Sequence, residues 1–127
     1  MANEKKLKAQ LAAYLEGWST NNKESWLALF ADNATLEDPV STPTHKGKEA
    51  IAAFWDRVHE LPMRFIPEIQ RAVICGNEGM LLFRMVTRSE GGPGMAMDIV
   101  DIITFNDEAK ITSLKAYWDA GCSSMVE

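Results

Sequence analysis

The sequence has few of the residues that build metal sites or disulfide scaffolds. Its two cysteines, Cys75 and Cys122, lie far apart and are too few for a disulfide framework. Its two histidines, His45 and His59, lie fourteen residues apart with no cysteine or second histidine beside them. We therefore expect no metal site, and a reduced, cytoplasmic protein.

The chain also lacks an excess of basic residues and lacks long apolar runs. It has 13 Lys and Arg against 18 Asp and Glu, a net charge of −5, which argues against binding nucleic acid or an anionic membrane through a basic face. The opening MANEKKLKAQLAAYLEG has charge but no continuous apolar core of a signal peptide. No stretch approaches the length needed to span a bilayer. Nucleic acid and membrane are therefore not expected partners.

The composition and length of the chain indicate one globular domain, residues 1–127. Hydrophobic residues make up 46% of the chain and charged residues 24%, which are ordinary values for such a domain. Helical spacing of apolar residues predicts helices over about 3–20, from Lys23 to Phe30, and over 48–60 before Pro62. The period then changes to two, which predicts strands near 64–75, 80–89, 95–106 and 110–119, in addition to a short strand at 34–38. Short connections favour an α+β domain in which a curled antiparallel sheet and its helices enclose a pocket.

The run TLEDPV places two adjacent carboxylates, Glu37 and Asp38, at the short strand. Neighbouring strand residues point to opposite faces, so Asp38 shares a face with the apolar Leu36 and is expected to point inward. Pro39 favours an extended backbone at Asp38. An Asp before Pro is also a common turn initiator, so the dipeptide alone does not distinguish a turn from a site.

Two further polar residues occupy apolar positions. Tyr14 lies on the apolar stripe of the first helix, where it is either a core tyrosine or a donor to a ligand oxygen. Asp101 shares the phase of the apolar residues in MAMDIVDIITF and is expected to point into the core. A lone buried carboxylate has a raised pKa and stays neutral, which makes it a hydrogen-bond donor. The alternative is an Asp satisfied by backbone amides or by an Arg, although Arg84 and Arg88 fall on outward positions.

These three residues and the segments around them resemble a known family. Tyr14, the run WLALFADNATLEDPV, the segment AIAAFW after Gly47, and VDIITFNDEAKITSLKAYW together resemble the Δ5-3-ketosteroid isomerases. That family belongs to the nuclear-transport-factor-2-like, or SnoaL-like, superfamily of α+β cone folds. The resemblance covers nearly the whole chain, from the first helix to Trp118, with small insertions between Leu61 and Asp101.

The resemblance implies a steroid isomerase that moves a C=C bond into conjugation with a 3-ketone by intramolecular proton transfer. Asp38 would be the general base that takes a proton from the carbon beside the ketone and returns it two carbons along. Tyr14 and a protonated Asp101 would donate hydrogen bonds to the dienolate oxygen and so form an oxyanion hole. No cofactor is implied, because only a proton and a double bond move. The implied partner is a small apolar ketone, a steroid.

The resemblance also implies a pocket wall suited to a flat apolar substrate. The candidate substrate-binding residues are Trp118, Phe54, Trp55, Phe30, Phe83, Met85, Trp18, Met97 and Val40. An aromatic stripe is more often plain core, so this assignment depends on the three polar residues. Some family members support the oxyanion tyrosine with further tyrosines, at positions that match Phe30 and Trp55 here. Phe30 cannot donate to Tyr14, whereas the indole N–H of Trp55 can.

Two other functions remain open. One is a SnoaL-like enzyme acting on another apolar ketone or a polyketide, which we would expect to use a His in the site. His45 is expected in a loop and His59 on the polar side of a helix, which weighs against it. The other is a non-catalytic small-molecule-binding module of the same fold. Apolar residues on the outward sheet face, and the family resemblance, predict a homodimer.

Overall fold

The computed structural model describes residues 2–126, which form three α-helices packed on a curved seven-stranded sheet. The helices are α1 (Glu4–Ser19), α2 (Lys23–Leu27) and α3 (Gly47–Val58). The strands are β1 (Phe30–Glu37), β2 (His45–Lys46), β3 (Met63–Cys75), β4 (Glu78–Ser89), β5 (Gly94–Phe105), β6 (Ile111–Tyr117) and β7 (Ser123–Val126). A short 3-10 helix, Ala120–Cys122, precedes β7. The predicted α+β class is confirmed.

Helix α1 has a side-chain N-cap and one apolar face. The Asn3 side chain accepts a hydrogen bond from the Lys6 backbone N–H at 2.8 Å and so caps the first turn. The predicted apolar stripe is buried, and it consists of Leu7, Leu11, Tyr14, Leu15 and Trp18. This stripe packs toward β3 and α2, which places Tyr14 on the inner side of the sheet.

The strand order is β2-β1-β6-β5-β4-β3, with β7 paired to β5. Every pair is antiparallel except β1 with β6, which is parallel. The antiparallel expectation therefore fails at this pair and the sheet is mixed. The alternation of apolar residues reports which face of a strand is buried, but not the direction of a neighbour that is distant in the chain. In the register, Asp101 of β5 stands between Leu81 of β4 and Ala116 of β6.

The second helix is shorter than predicted, and the assignment of Phe30 to it was wrong. Helix α2 ends at Leu27, and Phe30 is the first residue of β1. Strand β6 accounts for the change, because the Ile111 backbone N–H donates to the Leu29 carbonyl at 2.8 Å and Phe30 stands opposite Ile111. Pairing with the sheet thus outweighs the apolar helical spacing at Phe30. Strand β1 then runs from Phe30 to Glu37, directly before Asp38.

Strands β2 and β7 were not predicted. Strand β2 has only two residues, too few to show a period, and β7 lies in a mostly polar segment whose pairing with β5 is tertiary. No helix in the described residues has both the length and the apolar character that crossing a membrane requires.

Candidate active site

A cavity of about 190 Å³ lies between the helices and the concave face of the sheet. Tyr14, Asp38, Asp101 and Thr87 are its polar lining residues. The rest of the wall is aromatic or aliphatic and consists of Trp18, Phe54, Val58, Phe65, Phe83, Met85, Met97, Ile99 and Trp118. An apolar cavity with a few convergent polar groups is typical of a small-molecule site.

Asp38 directly follows β1 and reaches the cavity as its strand phase predicts. Leu36, on the same face, is fully buried, whereas the Glu37 carboxylate turns back to accept the Ser41 backbone N–H at 2.9 Å. The indole Nε1–H of Trp118 donates to Asp38 Oδ1 at 2.6 Å. Burial raises the pKa of the Asp38 carboxyl, while the Trp118 hydrogen bond and the nearby His45 act in the opposite direction.

Tyr14 lines the same cavity from α1 and is 3% exposed. Burial raises the pKa of this phenol well above its usual value, and the charges of Asp101 and Asp38 raise it further. The indole groups of Trp18 and Trp26 act in the opposite direction and lower it. Tyr14 is therefore a neutral hydrogen-bond donor at physiological pH.

Asp101 is the one charged-type side chain that is buried among residues 2–126, with 2% of its surface exposed. Burial raises the pKa of its carboxyl well above the usual value, and the neighbouring Asp38 raises it further. Within the described chain no Arg or Lys pairs with Asp101, since Arg84 reaches instead to Asp98 on the outer face, at 3.2 Å. Burial and the neighbouring Asp38 thus favour the neutral form of Asp101, which has an O–H to donate.

The charge of Asp38 acts on both of the other groups. It raises the pKa of Tyr14 and the pKa of Asp101, so Asp38 lies within electrostatic range of each. Like charges held together in an apolar space cannot all ionise. Asp101 has the more deeply buried carboxyl, while Asp38 is half-buried and receives an N–H from Trp118. The arrangement thus favours one carboxylate, Asp38, facing two neutral donors.

We expect Asp101→Asn to change how stability depends on pH. An unfolded Asp titrates near pH 3.9, whereas native Asp101 keeps its proton to higher pH. As pH rises from about 4, the unfolded wild type loses a proton that the native state retains, so this group makes the free energy of unfolding fall. Each unit of raised pKa corresponds to about 1.4 kcal/mol. Asn does not titrate, so the variant should gain relative to wild type between pH 4 and 7.5 in urea denaturation.

The matched control for this prediction is Asp98→Asn, three residues earlier on the exposed face of β5. Asp98 forms only a surface ion pair with Arg84, so its replacement should change stability by no more than about 1 kcal/mol at either pH. A stability difference between wild type and Asp101→Asn that stays constant from pH 4 to 7.5 would contradict a neutral Asp101.

Not all of the predicted substrate-binding residues line the cavity. Those that do are Trp118, Phe54, Phe83, Met85, Trp18 and Met97. Phe30 and Trp55 lie behind Tyr14 in the aromatic core, and Val40 borders a separate shallow recess with Pro39 and Tyr117. The Val40 backbone N–H donates to the Ala116 carbonyl at 2.8 Å, which anchors the loop after Asp38 to β6.

The structure adds Val58, Phe65, Thr87 and Ile99 to the wall. Phe65 and Ile99 could have been found from strand alternation, because each lies on the inward phase of its strand. Val58 falls on the apolar stripe of α3. Thr87 carries no signal in the sequence, since a polar residue near a strand end is usually solvated.

Both histidines lie closer to the site than expected. His45 belongs to β2, packs its ring 5.1 Å from that of Phe54, and lowers the pKa of Asp38. The prediction that His59 lies on the polar side of α3 was wrong. Its ring stacks 4.1 Å from that of Trp55, and its Nδ1 is 2.7 Å from the Trp55 carbonyl. Helix α3 ends at Val58, so His59 no longer follows the helical phase.

The fold and site together define an α+β cone with ionisable groups held against an apolar cavity. Comparison with protein-family models matches residues 11–114 to the SnoaL-like domain. A curated relative, the Steroid Delta-isomerase of Nocardioides simplex, is 31% identical over 115 residues, which covers 91% of this chain and 91% of the relative. The chain therefore belongs to the SnoaL-like family of nuclear-transport-factor-2-like folds, and the family resemblance seen in the sequence is confirmed.

Solved structures share this fold at lower sequence identity. RV0760c from Mycobacterium tuberculosis has a TM-score of 0.85 at 22% identity, with 98% of this chain and 99% of that chain covered. Its complex with estradiol-17beta-hemisuccinate has a TM-score of 0.82 at 23% identity, with 94% and 98% covered. The epoxide hydrolase/cyclase-like enzyme SalBIII, which has a role in pyran ring formation in polyether salinomycin, has a TM-score of 0.85 at 20% identity. The comparison covers 100% of each chain. At these identities the likeness establishes the fold.

Proposed function

We propose that the protein is a steroid Δ-isomerase, which moves a C=C bond into conjugation with a 3-ketone. The observation that carries this proposal is the single cavity shared by a half-buried carboxylate, Asp38, and two neutral donors, Tyr14 and Asp101. The relative named Steroid Delta-isomerase supports the same chemistry. The apolar wall, and the estradiol derivative bound by a structural neighbour, support a steroid as the ligand.

The proposed reaction needs only these side chains. The Asp38 carboxylate takes a proton from the carbon between the ketone and the double bond, and the electron pair moves onto the ketone oxygen to give a dienolate. The Tyr14 and Asp101 O–H groups donate to that oxygen and stabilise its charge. Asp38 then returns the proton to the far carbon of the dienolate. The double bond ends in conjugation with the ketone, and Asp38 is again a carboxylate.

Trp118 orients the base in this scheme. Its N–H holds Oδ1 of Asp38 at 2.6 Å, and no described residue donates a hydrogen bond to Oδ2. One carboxylate oxygen is therefore fixed while the other is free to carry the proton between two carbons. A fixed base near both carbons lowers the entropy cost of the transfer.

The proposal is tested by adding 5-androstene-3,17-dione to the protein and following the ultraviolet absorbance of the conjugated enone. Rapid conversion supports the isomerase. Tight binding of the conjugated product with no conversion would instead indicate the binding module. Conversion only of a different apolar ketone would indicate the other SnoaL-like chemistry, for which His45 beside Asp38 is the residue to examine.

We expect Trp118→Phe to shift the acidic limb of the pH profile of kcat/KM to higher pH. The indole hydrogen bond stabilises the charged carboxylate and so lowers the pKa of Asp38. Without it, Asp38 stays protonated, and inactive as a base, up to a higher pH. The control is Trp18→Phe, which removes another indole from the cavity wall but not one bonded to Asp38. An unmoved acidic limb in Trp118→Phe would contradict this role.

We also propose that two copies associate. Met95 and Met125 stand opposite each other on β5 and β7 and are 47% and 70% exposed, and Tyr117 on β6 is 46% exposed. Exposed apolar side chains on neighbouring strands favour a partner surface, and a second copy is the simplest closed arrangement. Sedimentation equilibrium would distinguish a dimer from a monomer.

A further inference from the structure

The indole N–H of Trp26 has no partner. Trp26 is fully buried, and within residues 2–126 its Nε1 is the one buried side-chain nitrogen or oxygen that makes no hydrogen bond. Buried polar groups in folded proteins are nearly always hydrogen-bonded, and an orphan costs the free energy of its lost hydration. We therefore expect a hydrogen-bond acceptor near the Trp26 N–H within the aromatic core.

Four aromatic rings surround Trp26, and only one of them has an oxygen. The ring centroids of Phe30 and Trp55 each lie 4.8 Å from that of Trp26, Trp18 lies at 5.4 Å and Tyr14 at 6.2 Å. Phe has no polar atom, and a Trp side chain offers only a donor. Among these rings, the Tyr14 hydroxyl oxygen alone can accept the Trp26 N–H.

The backbone of α1 fixes Trp26 at this place. At Gly17, an added Cβ would lie 2.8 Å from the Trp26 Cβ, a distance that real Cβ atoms essentially never show, and 3.1 Å from the Trp26 Cδ1. Gly17 thus lets α2 pack directly on α1, three residues along the helix from Tyr14. The position of the Trp26 ring beside Tyr14 is therefore set by a close contact between the two helices.

We propose that in solution the Trp26 indole N–H, which lies beside Tyr14 without a hydrogen bond in the structure, donates to the Tyr14 hydroxyl oxygen and positions that hydroxyl as a donor to the substrate. Trp26 is then a positioning residue, and this role rests on the proposed isomerase function. A hydroxyl that accepts one hydrogen bond becomes a stronger donor of another, because the bonds in a chain polarise one another. Trp18 and Trp26 both lower the pKa of Tyr14 against the effect of burial, as indole donors near its hydroxyl would, and of the two only Trp26 has a buried N–H without a partner among residues 2–126.

This contact answers a question raised by the sequence. Phe30 and Trp55 stand where some family members have supporting tyrosines, and the sequence left open whether the Trp55 N–H supports Tyr14. The structure instead stacks Trp55 on Trp18 at 4.7 Å and on His59 at 4.1 Å, and leaves the unpaired N–H on Trp26.

The contact can be tested without any assay of activity. The four tryptophans give four indole N–H signals in a nitrogen–proton correlation spectrum of the labelled protein. We expect Tyr14→Phe to move the Trp26 signal more than the other three, toward the position of an indole without a hydrogen bond. Tyr117→Phe, which removes the other tyrosine hydroxyl, is the matched control and should leave the Trp26 signal in place. An unmoved Trp26 signal in Tyr14→Phe would overturn the contact.

The measurement does not depend on a Trp26 variant that folds. The Trp26 signal can be assigned by its loss in Trp26→Phe, or by elimination from Trp18→Phe, Trp55→Phe and Trp118→Phe. Its outcome is also independent of the proposed function. A shifted signal in a protein that converts no steroid would support the contact and overturn only the isomerase assignment.

The positioning role has its own test. Trp26→Phe keeps an aromatic ring and removes the N–H, so we expect kcat to fall about two- to tenfold, as for one hydrogen bond, with little change in KM. In a Tyr14→Phe background the same substitution should have a much smaller effect, because the group it positions is absent. An unchanged kcat in Trp26→Phe, or an equal loss in both backgrounds, would overturn the positioning role.

Discussion

Asp38→Asn is expected to reduce kcat for steroid isomerisation by about a hundred- to ten-thousandfold, the range of a lost general base. An amide has nearly the shape of a carboxylate but cannot take the proton from the substrate. The Trp118 N–H can still donate to the amide oxygen, so the cavity should keep its geometry. The rate is measured from enone absorbance at saturating substrate, and binding of the conjugated product is measured separately by titration.

The matched control for this substitution is Glu37→Gln. It makes the same chemical change one residue earlier, on a side chain that turns away from the cavity and accepts the Ser41 N–H. Gln can still accept that bond, so both rate and stability should stay close to wild type. Equal losses in Asp38→Asn and Glu37→Gln would indicate damage to the loop after β1 instead of loss of a base.

Tyr14→Phe is expected to lower kcat by about a hundred- to a thousandfold, the range found when one oxyanion donor is removed. The substitution deletes the buried hydroxyl and keeps the ring, which packs against Trp18, Trp26 and Phe30. In the proposed mechanism the hydroxyl stabilises charge that develops only during the reaction, so KM should change little. Steady-state kinetics of the purified variant separate the two constants.

Tyr117→Phe supplies the control, because it removes a hydroxyl from the exposed end of β6. Its kinetics should match those of wild type. If Tyr14→Phe raised KM and left kcat unchanged, Tyr14 would be a binding group for the ground-state ketone, and the oxyanion role would have to be abandoned.

The positions of the three polar groups could be predicted because each lies in a regular element with a clear period. Asp101 follows the inward phase of β5, Tyr14 lies on the buried stripe of α1, and Asp38 shares the face of Leu36 at the end of β1. Burial of a carboxylate on an otherwise apolar face then indicates a raised pKa from physical chemistry alone. Local pattern therefore gave the candidate site.

What could not be predicted depends on contacts between distant segments. Strand β1 pairs with β6 in parallel, and this pairing makes Phe30 the first residue of β1. Local periodicity does not show which strand another strand pairs with. His59 lies just past the end of α3, where helical phase no longer applies. The environment of Trp26 depends on how closely α2 approaches α1 at Gly17, which no spacing along the chain reveals.

Burying these groups costs stability that an ordinary core would not lose. Asp101 and Tyr14 occupy positions where apolar side chains would pack without a polar atom to satisfy. Active sites commonly lower the stability of the fold in this way, and substitutions that restore stability there remove function. Asp101→Asn, with its expected gain in stability toward neutral pH, tests this trade-off at one residue.

In the proposed mechanism, Asp38 carries one proton from the carbon beside the ketone to the carbon at the far end of the dienolate. The most direct measurement uses a steroid carrying deuterium at the first carbon, converted in ordinary water, with mass spectrometry of the product. We expect a substantial share of the deuterium to appear at the second carbon, because a half-buried carboxylate returns the proton it took before exchange with water is complete. Complete loss of deuterium to solvent, at a rate unaffected by Asp38→Asn, would rule out proton transfer by Asp38.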